Sequence, residues 1–80
     1  MSTFERLVKV CAAVFDDDID ISAIKPESNL ITDINMNSIG ILYMALAIEE
    51  EFGIKFSNED FSKIATVEDV ITVIEKKADL

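Results

Sequence analysis

One stretch constrains this chain more than any other. From Asn37 to Gly53 it reads Asn-Ser-Ile-Gly-Ile-Leu-Tyr-Met-Ala-Leu-Ala-Ile-Glu-Glu-Glu-Phe-Gly. The pattern predicts one helix. Asn37 suits the N-cap, because its side-chain oxygen can accept from an otherwise unpaired backbone N–H. Gly53 suits the position just past the end, because it takes positive φ without steric cost. Ile41, Met44, Ala45, Ile48 and Phe52 recur at helical spacing on one face, and Ile39, Leu42 and Leu46 form a second stripe. A helix apolar on two stripes is either buried nearly all round or keeps one stripe for a partner.

The rest of the chain reads as further short helices. Ser2 or Thr3 caps a first helix running to about Phe15, with Phe4, Leu7, Val8, Cys11, Val14 and Phe15 on its inner face. Ser57-Asn58-Glu59-Asp60 resembles a capping box with Asp60 in the acidic place. It opens a short helix with Phe61 and Ile64 inward, after an extended link through Ile54 and Phe56. Thr66-Val67-Glu68-Asp69 starts a last helix, whose inner face is Val67, Val70, Ile71 and Ile74. Lys76 and Lys77 suit the dipole at its end. Between the first two helices, Ile19, Ile21, Ile24, Leu30, Ile31 and Ile34 are scattered among loop formers. They predict a long ordered loop pinned to the core by several side chains, a kind of segment that is often functional. The expected fold is all-α, a small four-helix bundle of three main helices and one short one. Residues 1–80 are expected to form a single domain, as a chain of 80 residues holds one modest core.

Composition narrows the function. Sixteen acidic residues against 7 basic ones leave a formal net charge of −9. Such a surface repels nucleic acid and anionic membranes and favours partners with basic patches. With no His and one Cys, the chain holds no internal disulfide and no zinc site built on those ligands. Cys11, among Val10, Ala12, Ala13 and Val14, reads as a small buried hydrophobe. No signal-peptide pattern opens the chain and no run is long enough to span a bilayer, so a cytoplasmic, free-standing monomer is expected. Asp16, Asp18, Asp20 and Glu27 fill the first, third, fifth and twelfth places of a calcium loop. Ile21 stands where that loop needs Gly, and Pro26 stands where its second helix should be under way, so no metal site is expected.

Ser38 is the one residue whose place suggests chemistry. As a nucleophile it lacks a visible base, and Glu49, Glu50 and Glu51 read as a solvated acidic helix end, so independent catalysis is not expected. As an attachment point it is well placed. A phosphate ester there faces unpaired N–H groups and the positive end of the helix dipole.

These residues resemble the acyl carrier protein family. Asn37-Ser38-Ile39 lies where that family has Asp-Ser-Leu. Met44-Ala45-Leu46 and Glu49-Glu50-Glu51-Phe52 resemble its second helix, and Phe56 to Ile64 followed by Ala65-Thr66-Val67 resembles its third helix and the start of its fourth. The resemblance implies that Ser38 accepts 4′-phosphopantetheine from coenzyme A through a separate phosphopantetheinyl transferase. It implies that the arm's thiol carries acyl, polyketide or aminoacyl groups as thioesters between enzymes, sheltered in part by a loose core. Partner enzymes with basic patches would read the second helix through Asn37, Ile39, Leu42, Leu46, Glu49 and Glu50. Three places depart from the family: Asn37 replaces Asp, and Gly40 and Tyr43 stand where housekeeping fatty-acid carriers usually have acids. These departures point to a specialised carrier. The alternative they leave open is an unmodified carrier-like subunit with a structural or regulatory role.

Overall fold

The computed structural model describes residues 2–15 and 21–78. Its order is α1 (Thr3–Phe15), a 3-10 turn (Ile21–Ala23), α2 (Ser38–Phe52), α3 (Asn58–Lys63) and α4 (Val67–Ala78). Among the described residues there is no named strand, so the fold is the all-α bundle that the helical periodicities predict.

Each helix starts where its local chemistry dictates. Ser2 caps α1, its hydroxyl accepting the Glu5 N–H while the Glu5 carboxylate accepts the Ser2 N–H, both at 3.1 Å. Asn37 caps α2 from extended backbone, accepting the Gly40 N–H at 2.7 Å. Ser57 and Asp60 form the reciprocal box on α3. Thr66 and Asp69 do the same on α4. Gly53 closes α2 at φ 68, and its N–H donates to the Glu49 carbonyl. That left-handed conformation carries a penalty for any residue with a Cβ.

The core lies where α1, α2 and α4 meet. Leu7, Val10 and Cys11 of α1, Met44, Ala45 and Ile48 of α2, and Val67, Val70 and Ile74 of α4 are buried. Ile48, Val70 and Ile74 have no exposed surface at all. Cys11 is one of these core side chains, and burial pushes its thiol up to about 11.

The segment between the 3-10 turn and α2 is stitched to the start of α4. Asn29 forms an isolated bridge with Thr66, Leu30 N–H donates to the Ala65 carbonyl, and the Ser28 and Pro26 carbonyls accept the Val67 and Glu68 N–H groups. The loop therefore supplies acceptors to α4's first turn, which its own helix cannot satisfy. Ile24, Leu30, Ile34 and Met36 pin it to the core.

Two expectations need correction. Ile31 does not pin the loop, being 59% exposed. Its N–H and that of Thr32 donate to the Asn29 side chain, and this tight turn sends Leu30 inward and Ile31 out. Nor does Phe61 enter the main core. No residue of α3 is buried, and the Phe61 ring rests on Phe56 with centroids 5.7 Å apart. A six-residue helix is too short to offer a full apolar face. Ile19 and the aspartates of the calcium-loop comparison lie outside the described residues.

Candidate functional site

The candidate site is the first turn of α2. Ser38 is its first helical residue and is exposed. Asn37 holds the Gly40 N–H. Among the described residues, no group accepts from the N–H of Ser38 or Ile39. The other helices carry acids in their first turns: Glu5 on α1, Glu59 and Asp60 on α3, Glu68 and Asp69 on α4. The first turn of α2 has none. A phosphate on the Ser38 hydroxyl thus meets open donors and an uncompensated positive helix end, with no carboxylate in the same turn to repel it.

Gly40 explains how that turn is seated. It is buried, and a Cβ on it would come within 3.2 Å of Phe15 Cε1 and 3.3 Å of Asn37 Oδ1. The missing side chain lets the Phe15 ring lie against the helix, so the end of α1 fixes the start of α2. Composition alone marks Gly40 only as a weak helix former.

The outer face of α2 bears the second apolar stripe. Ile39 is 62% exposed, Leu42 50% and Leu46 53%. Tyr43, 58% exposed, joins them, which the sequence could have shown since it stands four residues after Ile39. From Ser38 to Ile48 the helix carries no charged side chain.

The acidic end behaves differently from a solvated cluster. Glu49 is half-buried, and its carboxylate accepts the Phe56 N–H at 2.6 Å, tying α2 to the link before α3. Glu51 pairs with Arg6 at 3.1 Å, while the Arg6 guanidinium lies 4.2 Å from the centre of the Phe52 ring. Glu50 is exposed. Asp33 accepts the Asn29 N–H at 2.7 Å within the loop. Among the described residues, no group of three or more His, Cys, Asp or Glu is placed to hold a metal ion. No helix among them is long and apolar enough to cross a membrane.

Comparison with known proteins identifies the family. The family model described as "Phosphopantetheine attachment site" matches residues 5–74. The chain is 39% identical to the acyl carrier protein of Helicobacter hepaticus over 75 residues, covering 94% of this chain and 96% of that protein. It is 36% identical to the acyl carrier protein of Thermosynechococcus vestitus over 78 residues, with 96% of each covered. It is 33% identical to that of Coprothermobacter proteolyticus over 73 residues, covering 89% of each. The cofactor implied is 4′-phosphopantetheine, and the open first turn of α2 fits its phosphate. The family implies as partners a phosphopantetheinyl transferase and acyl-processing enzymes. Its members carry groups for other enzymes and are not catalysts themselves. With this agreement across nearly the whole chain, the protein belongs to the acyl carrier protein family.

Proposed function

We propose that Ser38 is the attachment residue and that the chain serves a dedicated acyl, polyketide or aminoacyl pathway. The observation that carries the first part is the exposed Ser38 hydroxyl on the only α-helix without a first-turn acid among the described residues. In loading, the Ser38 oxygen becomes the ester oxygen of a phosphodiester, and its proton and adenosine 3′,5′-bisphosphate leave. Once bound, the group supplies a terminal thiol that holds cargo as a thioester. The protein's part is placement. Asn37 fixes the first turn, Gly40 and Phe15 seat it on α1, and the unengaged N–H groups of Ser38 and Ile39 would be donors for the phosphate.

The dedicated pathway rests on the outer face of α2. Gly40 and Tyr43 leave it without charge where general fatty-acid carriers usually have acids. A partner adapted to such a face is a different enzyme from one that reads a row of carboxylates. The test is Ser38→Ala. The variant keeps its helical circular dichroism and takes up no phosphopantetheine; uptake by that variant would move the attachment site elsewhere.

A further inference from the structure

A cleft of about 380 Å³ opens between the end of α1 and the first turns of α2, within the size range of small-molecule sites. Phe15, Met36, Ile39 and Tyr43 give it apolar walls, and Asn35 and Asn37 add two side-chain amides. Among the described residues, none that lines it is charged, on a chain of net charge −9. The lining comes from α1, the loop and α2, so only the folded chain assembles it.

Gly40 keeps this space open. It belongs to the lining, and a Cβ on it would stand 3.2 Å from Phe15 Cε1 and 3.3 Å from Asn37 Oδ1. A longer side chain would enter the space between these two walls. The Asn37 oxygen accepts the Gly40 N–H, which leaves the NH2 of that amide to donate. Asn35 sits at φ 67, the one described residue with a Cβ in the left-handed region, where Asn is better tolerated than most residues.

The position of Ser38 says what the cleft can hold. Both of its chain neighbours, Asn37 and Ile39, line the cleft. Ile39 and Tyr43 stand four residues apart, about 6 Å along α2. A group anchored on Ser38 therefore enters the cleft by running one turn along the helix. Beyond its phosphate, a 4′-phosphopantetheine arm is uncharged, an alternation of amides with a geminal dimethyl carbon and short methylene links. Such a chain can leave water for this lining without stripping a charge, and its amides find partners in the two Asn side chains. We propose that the cleft seats the pantetheine part of the chain's own arm, with the dimethyl segment against the Phe15 and Tyr43 rings and the amides on Asn35 and Asn37. This rests on the reading of Ser38 as the attachment residue and adds where the arm lies.

The test uses a probe already in the cleft. Tyr43 is the chain's one tyrosine, there is no Trp, and its side chain is largely exposed, so its fluorescence reports on this place. Acrylamide quenching is compared between the unloaded chain and the chain loaded to completion at Ser38, as checked by intact mass and peptide mapping, under reducing conditions. Acrylamide is neutral, so the added phosphate does not repel it. Loading lowers the quenching constant by about twofold or more, as for an arm seated half the time or longer. Nuclear Overhauser contacts join the arm's geminal methyls to the Phe15 and Tyr43 rings. Ile39→Ala removes an exposed wall and gives back most of the lost quenching, whereas Ile31→Ala, exposed but outside the cleft, does not. Equal quenching before and after loading at Ser38 would overturn the proposal and leave the carrier reading standing. Contacts from the methyls to the Phe56 and Phe61 rings instead would put the arm elsewhere and overturn it too. Protection that grows with protein concentration would show a second copy over Tyr43, with the same consequence. No loading at Ser38, with a known carrier modified in the same tube, removes both readings.

Discussion

The Phe15 ring lies so close to Gly40 that a methyl group added there would sit 3.2 Å from Cε1. The end of α1 and the start of α2 are thereby joined beside Ser38. Two opposing effects meet at this position. Ala is favoured over Gly in a helix by about 1 kcal/mol. The crowding against Phe15 and the Asn37 cap works the other way. Gly40→Ala is therefore expected to stabilise the chain by much less than the helix preference alone, and by more once Phe15→Ala has removed the ring. Urea unfolding of both single variants and the double variant measures the coupling, expected at about 0.5 kcal/mol or more. Strict additivity would show that the ring does not restrain this turn.

Asn37 holds α2 by one short hydrogen bond to the Gly40 N–H. Asn37→Ala should cost about 1 kcal/mol of stability. Asn37→Asp should change it by only a few tenths of a kcal/mol, since Asp caps as well as Asn. Urea midpoints of the two variants decide this. Equal losses would mean that the cap is not what fixes the turn.

The limits of α2 could be read directly from Asn37 and Gly53, because capping is local chemistry. The same holds for Ser57 with Asp60 and for the inner face of α4. The role of Gly40 could not be read, because its neighbour Phe15 is distant in sequence and only the packed helices bring them together. Ile31 faces outward against its apolar character for a related reason. A loop has no period to say which apolar residue faces in, and here the Asn29 turn decides it. Glu49 reads as one of three similar acids until the chain's return brings the Phe56 N–H to its carboxylate. Of the candidate site, the exposed outer stripe of α2 was legible, whereas the seating of its first turn on Phe15 was not.

Asp60 ties α3 to α4. The Lys77 ammonium, 2.8 Å away, is the main reason that its carboxyl is held down at about 2, and the Ser57 N–H adds to it. A carboxyl with a depressed folded pKa adds stability that is fully present above its unfolded value of 3.8. That stability is lost as pH falls through the folded value near 2. Lys77→Gln is expected to raise the Asp60 pKa and lower the melting temperature near neutrality. The difference from the parent should shrink as the pH falls from 4 towards 2. A difference that stays constant over that window would place the effect of Lys77 elsewhere.

Cys11 is buried and its thiol is raised to about 11, so at pH 8 it is protonated and shielded. The unmodified chain should react slowly with a disulfide reagent when native and quickly when denatured. The modified chain should show one fast thiol, that of the arm. Two fast thiols in the native modified chain would mean that loading opens the core around Cys11.

The most direct test of the attachment claim is intact-protein mass followed by peptide mapping, after incubation with coenzyme A, magnesium and a phosphopantetheinyl transferase from the same organism. One added phosphopantetheine on the Ser38 peptide is the expected result. Addition at another residue, or none while a known carrier in the same tube is modified, would contradict it.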